Sequence, residues 1–197
     1  QDEFLINPFV LSALRILALK GTAESLKYAR KYANSKDADI KNCVVQIIAK
    51  YGTLEDVPTL IKIAFDSYGS TKIEATKQAL KYSNFDKEII RQFISSGDKD
   101  IVKACLAYDL DTKSHVMITD TKAILMHKIE DIRIFALSHL VNVLTKQKLV
   151  KLLNEYLSGT TYYYNVVCWL DRILFASPKI RRIYRQELLS MIKTEKQ

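Results

Sequence analysis

Four stretches of the chain share one pattern. "DADIKNCVVQII", "STKIEATKQAL", "DKDIVKACLAY" and "IEDIRIFALSHL" each set a polar or acidic residue ahead of an isoleucine and then run into helical periodicity. The anchoring residues Ile40, Ile73, Ile101 and Ile132 stand 33, 28 and 31 residues apart, and a further 31 residues lead to Tyr163 inside "TTYYYNVVCWL". A repeat of this length is one supersecondary unit that cannot bury its apolar face alone; only stacking against neighbours gives it a core.

Within the repeats the apolar residues fall at helical spacing. Ile40, Cys43, Val44, Ile47 and Ile48 make one such face, Ile132, Phe135, Ala136, Leu140 and Val141 another, and Tyr163, Val166, Val167, Leu170 and Leu174 a third. The repeat at Ile73 fits least well, because Thr76 and Lys77 fall where apolar residues belong; its stripe is expected through Ile73, Ala75, Ala79 and Leu80. Partner helices lie between. "TAESLKYARKYA" offers Thr22 as an N-cap. "LEDVPTLIKIAF" carries Pro58 near its first turn, where a missing N–H costs little. "DKEIIRQFISSG" stops at Gly97, a later one is closed by Gly159, and a last one opens at Pro178. Short connections make successive helices antiparallel neighbours. With 5 glycines and 3 prolines the chain lacks the turn residues of an all-β fold. The expectation is an all-α protein of about twelve helices, in pairs of roughly 31 residues, forming one domain over residues 1–197.

"EDIRIFALSHL", with Asp131, Ile132 and Arg133, and "VPTLIKIAFDS", with Pro58, resemble the HEAT-repeat family of α-solenoids; "DADIKNCVV" keeps the aspartate and has Lys41 in the place of arginine. The resemblance covers nearly the whole chain. It implies a right-handed α-solenoid of about six antiparallel helix pairs, with the second helix of each pair lining the inner side. It implies an architecture and no particular chemistry. The segment "PFVLSALRILALKG", Pro8 to Gly21, reads as a second helix whose first helix is missing. With no initiating methionine, that points to the C-terminal repeat domain of a larger polypeptide.

Chemical motifs are few. No phosphate loop, dinucleotide fingerprint, nucleophile elbow or H-E-x-x-H occurs. Cys43, Cys105 and Cys168 are too far apart in sequence for a cysteine-based zinc site, and are read as buried, reduced thiols of a cytoplasmic protein. His115, His127 and His139 provide no metal-ligand spacing, and His139, on an apolar helix, reads as a satisfied core histidine. No metal, cofactor or membrane span is expected, the last because no apolar run approaches the roughly 20 residues needed to cross a bilayer.

One stretch stands out. "TTYYYNVVCWLDRILFAS" holds three consecutive tyrosines, the single tryptophan and an Asp-Arg pair. Placed on a helix, it is apolar around most of its circumference, which suggests burial between neighbouring repeats, with Asp171 and Arg172 satisfying nearby groups. The rival reading is a recognition surface: Tyr162, Tyr164, Trp169, Asp171 and Arg172 line a groove with Arg181, Arg182 and Arg185 of the final helix. Arginines among aromatics suit phosphate and base contacts or a protein hot spot.

The expected function is non-enzymatic: a scaffold binding a protein partner through a curved helical surface. The alternative is a nucleic-acid binder, which the net charge of +8 permits. Its enzymatic form rests on the family resemblance alone. Some HEAT-like proteins excise alkylated bases from DNA with aromatic residues and an acid in the concave groove, and Trp169 with Asp171 is the only adjacent pair of that kind here.

Overall fold

The computed structural model describes residues 8–114, 116, 117, 121, 124, 125, 127, 129–145, 147–149, 151 and 152. Among these the fold is all-α, without a strand. The helices are α1 (Pro8–Lys20), α2 (Leu26–Tyr32), α3 (Ala38–Tyr51), α4 (Val57–Asp66), α5 (Gly69–Tyr82), α6 (Lys87–Ser95), α7 (Lys99–Thr112) and α8 (Glu130–Val143). No helix of the described residues is long and apolar enough to cross a membrane. The chain divides into two compact units, Gln1–Tyr108 and Asp109–Gln197.

In the first unit the helices begin and end on local chemistry. Asp37 caps α3 by accepting from the Ile40 N–H at 2.8 Å, and Asp86 caps α6 through the Glu88 and Ile89 amides. Asp98 does the same for α7, accepting from the Asp100 and Ile101 amides at 2.9 and 3.2 Å. Pro58 lies in the first turn of α4, where its ring disturbs no hydrogen bond. Gly97, with φ +68°, follows the end of α6 in a left-handed conformation that suits glycine.

Two turns of this unit are built alike, 31 residues apart. At the end of α1 the Gly21 N–H donates to the Leu17 carbonyl, the chain passes through Thr22, and the Thr22 N–H donates to Ser25 Oγ at 3.1 Å. At the end of α3 the Gly52 N–H donates to Ile48, the chain passes through Thr53, and the Thr53 N–H donates to Asp56 Oδ2 at 2.9 Å. Each turn contains a short 3-10 segment, Ala23–Ser25 or Leu54–Asp56, that runs into the next helix. Thr22 therefore stands at an N-cap, as its sequence context leads one to expect, with the 3-10 turn between it and α2.

The core of the first unit forms where α3 packs on α1, α2, α4 and α5, and where α4 and α5 make the most extensive pairing. Ile40, Cys43, Val44, Ile47 and Ile48 of α3 are all buried, as their periodicity implies. At about 1.5–3 kcal/mol for each fully buried large aliphatic side chain, this stripe is a main contribution to stability.

The register of α5 departs from the sequence reading. Ile73 is 37% exposed, whereas Lys72 is only 7% exposed and Thr76 is fully buried. The buried set is Lys72, Ala75, Thr76, Ala79 and Leu80, one position away from the isoleucine anchor at its start. Two polar partners make this possible. Thr76 Oγ1 donates to the Lys72 carbonyl at 2.9 Å, and the Lys72 ammonium is bonded to Asp98, the cap of α7. A buried lysine with a carboxylate partner costs far less than an unpaired one, so pairing, not hydropathy, sets the register here.

In the second unit α8 buries Ile132, Ala136, Leu137, His139, Leu140 and Val141. Met117, Ile124, Leu125 and Leu149 belong to the same unit and are also buried.

Candidate functional site

Helices α1, α3 and α5 follow one another as packing neighbours, α1 on α3 and α3 on α5. Their C-terminal ends are tied together in the same way twice. Lys50 and Tyr51, ending α3, donate to the carbonyls of Ala18, Leu19 and Gly21 at the end of α1. Tyr82, ending α5, donates to the Ile48 and Ala49 carbonyls at the end of α3, at 2.7 and 3.0 Å. The last carbonyls of a helix have no partner within it, so a donor supplied by the next helix satisfies them, and the charge of Lys50 suits that end of the helix dipole.

This row presents Arg15, Gln46 and Lys77 at intervals of 31 residues. Arg15 bridges to Asp39 of α3 at 3.0 Å, and the Lys41 ammonium reaches the Asp66 carbonyl at 2.9 Å. The exposed bridge contributes no more than about 1 kcal/mol. The surface is polar and basic, with Lys50 and Lys81 at its end, the latter lying 5.0 Å from the centre of the Tyr82 ring. No group of three or more potential metal ligands occurs among the described residues.

Two carboxylates join successive turns. Asp56 is nearly buried and takes both Nε and a terminal nitrogen of Arg30, at 2.8 and 3.1 Å, besides the Thr53 amide. Burial alone raises its pKa, but the Arg30 hydrogen bonds, the Thr53 amide and the guanidinium charge outweigh it and hold the carboxyl below its ordinary range. Asp98 behaves alike: burial opposes ionisation, and the Lys72 ammonium with the Ile101 and Asp100 amides overcomes it. Arg30→Ala strands the Asp56 carboxylate. The expected loss is about 1–2 kcal/mol by urea unfolding, less than for a fully buried pair because the arginine is partly in water.

The second unit holds a polar cluster inside its core. Asp109 and His139 are 0% and 1% exposed, and Asp109 Oδ2 lies 2.8 Å from His139 Nε2. The other oxygen of Asp109 accepts from the Ser114 hydroxyl and from the Val116 amide at 3.1 Å. His139 Nδ1 lies 3.1 Å from Thr121 Oγ1, whose single proton goes to the Met117 carbonyl at 2.6 Å. Each ring nitrogen of His139 thus has a polar partner, the Thr121 hydroxyl on one side and the Asp109 carboxylate on the other. Burial pushes the Asp109 carboxyl up, but hydrogen bonds from His139 and Ser114 and the charge of His139 win, and it stays below the usual carboxylate range. Asp109, Thr121 and His139 are satisfied and buried, while Ser114 is half-buried and Val116 lies at the surface. The cluster is a structural tie, and His139 is the satisfied core histidine that its apolar helix implies. Its partner Asp109, 30 residues earlier, is what sequence reasoning missed.

Asp56, Asp98 and Asp109 bind protons less readily in the folded chain than in the unfolded one. Their stabilisation is complete above the ordinary carboxylate pKa, near 4, and is lost as pH falls from there through the lower folded values. The urea midpoint is therefore expected to drop below about pH 4, and to drop less in Asp98→Asn, in which one of the three no longer titrates.

Cys43 and Cys105 are buried free thiols, and burial pushes the pKa of both upwards. Cys168 and the candidate recognition residues Tyr162, Tyr164, Trp169, Asp171, Arg172, Arg181, Arg182 and Arg185 lie outside the described residues. Comparison with known proteins finds no matching family model, no matching curated protein and no matching solved structure.

Proposed function

We propose that the chain is a non-enzymatic recognition scaffold: a HEAT-like, right-handed α-solenoid of about six antiparallel helix pairs that holds a protein partner on its curved surface. The observation that carries this reading is the doubled turn. Gly21–Thr22–Ser25 and Gly52–Thr53–Asp56 share their hydrogen bonds at an interval of 31 residues, and the helices that precede them, α1 and α3, are packing neighbours. Recurrent turns joining neighbouring helices are what a stacked array is made of, and such arrays work by presenting an extended, preformed surface. The side chains that α1, α3 and α5 turn outward in common register, Arg15, Gln46 and Lys77, are the surface proposed for the partner, together with the aromatic and arginine residues from Tyr162 to Arg185.

The test is affinity capture with the wild-type chain and with a Gln46→Glu/Lys77→Glu/Lys81→Glu variant, after nuclease treatment. A protein retained by the wild type in 0.5 M salt (roughly where surface charge attraction is screened) and lost by the variant supports the reading; the absence of any such protein counts against it.

A nucleic-acid binder is the second reading, favoured by the net charge of +8. It requires retention of duplex or single-stranded DNA that weakens steeply with salt, and loss of that retention on charge reversal at Arg181, Arg182 and Arg185. Its base-excising form requires release of free base from alkylated DNA, abolished in Asp171→Asn.

A further inference from the structure

Residues 26–36, "LKYARKYANSK", hold Lys27, Arg30, Lys31 and Lys36 and no acid, and no other acid-free stretch of the first unit holds as many basic residues. Within it α2 buries Ala29 and leaves Lys27, Tyr28 and Lys31 exposed, the tyrosine at 42%. Each of these lysines stands over the ring of the tyrosine that follows it. The Lys27 ammonium lies 5.0 Å from the centre of the Tyr28 ring, and the Lys31 ammonium 5.7 Å from that of Tyr32. The two Lys–Tyr pairs are one helical turn apart, about 6 Å along the axis. A third cation arrives from α4: exposed Lys62 donates to Asn34 Oδ1 at 2.8 Å, just past the end of α2. That bond is to a neutral amide and does not cancel its charge. Nearby acids take other partners. Asp56 and Glu55 sit on Arg30, which is therefore not counted, and Asp37 accepts from the Ile40 amide. Glu24 is the exposed acid in the turn ahead of α2.

We propose that this face of α2, Lys27, Tyr28 and Lys31 with Lys62 beside them, binds a single strand of nucleic acid. The surface belongs to the first unit and requires neither the array proposed above nor the stretch from Tyr162 to Arg185. A cation and an aromatic ring side by side match the two parts of one nucleotide: the phosphate pairs with the ammonium and the base stacks on the ring. A lysine already held over a tyrosine moves little to make both contacts, and two such pairs one turn apart follow two successive nucleotides. Contacts of this kind do not depend on which base is present, so binding is indifferent to sequence. Duplex DNA fits less well, because its bases are stacked on one another and do not reach a tyrosine ring. An acidic peptide meets the lysines but leaves the rings unused.

The experiment titrates the intact chain into a fluorescent oligo(dT) strand and reads anisotropy between about 50 and 200 mM salt. The expected result is an affinity that falls with salt at a log–log slope of about −2, as three phosphate contacts on a single strand give. Lys27→Glu/Lys31→Glu is expected to weaken binding about tenfold or more and to flatten the slope, and Glu24→Lys to strengthen binding about threefold. Tyr28→Ala weakens it about fivefold or more, the worth of one stacked base, and leaves the slope unchanged. The altered side chains are exposed, so the variants fold, as unchanged amide spectra away from α2 will show. Lys77→Glu/Lys81→Glu changes the net charge equally and is expected to leave affinity within about twofold, because distant charges are screened. Absence of salt-dependent binding overturns the inference. So does equal loss in the two double variants, since net charge and not this face then attracts the strand. So does retention lost on charge reversal at Arg181, Arg182 and Arg185 and kept in Lys27→Glu/Lys31→Glu. Unchanged affinity in Tyr28→Ala, with polyglutamate competing as well as the oligonucleotide, also overturns it and makes the face a site for acidic chains. Failure of the protein capture described above sinks the scaffold and leaves this surface standing.

Discussion

Asp109→Ala is expected to destabilise the second unit by about 3–5 kcal/mol, the usual penalty for stranding one member of a buried ion pair. The substitution removes the carboxylate that His139 Nε2, Ser114 Oγ and the Val116 amide all address. His139 has no water to turn to, because it is buried, whereas Ser114 is half-buried and Val116 exposed, so their donors can be met by solvent. A buried donor left without an acceptor costs the full desolvation of that donor, not the modest net value of the bond. The double variant Asp109→Leu/His139→Leu makes the contrast. It removes the charges together and fills the space with apolar volume, which in other buried pairs is close to neutral, so most of the loss should be recovered. Hydrogen exchange of the α8 amides is the measurement: protection collapses in the single variant and returns in the double. Equal loss in both would mean that shape, and not charge pairing, holds the cluster.

The same cluster shows how far the sequence could be read. The helical type of the described segments follows from apolar spacing, from aspartates ahead of α3, α6 and α7, and from the absence of turn residues within them. Position along a helix is harder. An isoleucine marks the buried stripe in α3, α7 and α8, yet in α5 Ile73 faces outward and Lys72 goes in, because Asp98, 26 residues on, is there to receive the ammonium. Hydropathy is a property of one residue, whereas burial of Lys72, Asp109 or His139 is a property of a pair brought together by the fold. The paired turns had a sequence signal. "GTAES" and "GTLED" repeat Gly, Thr and a short polar acceptor at 31 residues, a stricter match than the isoleucine anchors. The candidate recognition stretch from Tyr162 to Arg185 was legible as composition, aromatic and arginine-rich, but composition does not decide which side of a helix meets a neighbour and which meets a partner.

Those paired turns make the sharpest test of the repeat. Gly52→Ala is expected to cost about 2–3 kcal/mol, as overpacking a closed site does. Its backbone, φ −67° and ψ 166°, is open to any residue, so glycine is needed there for room and not for conformation. A Cβ would lie 2.5 Å from the Ile48 carbonyl oxygen and 2.6 Å from Ile48 Cγ2, and the carbonyl is fixed by its bond from the Gly52 amide. Gly21→Ala meets the equivalent obstacle, with the Leu17 carbonyl oxygen at 2.4 Å and Ser25 Oγ at 2.2 Å. It should cost a similar amount, since turning the serine away sacrifices its bond from the Thr22 amide. Gly69→Ala is the control: open space surrounds it, and only its φ of +54° resists, for about 1–2 kcal/mol. Glycine-to-alanine changes at unstrained, uncrowded positions stabilise by about 0.4–1 kcal/mol, so the sign of the urea-midpoint shift is itself diagnostic. If Gly21 and Gly52 both destabilise by similar amounts, the two turns carry one mechanical role at a 31-residue interval. A stabilising shift at either would mean that its turn can open to admit a methyl group, and that the close passage from one helix to the next is not what sets the repeat.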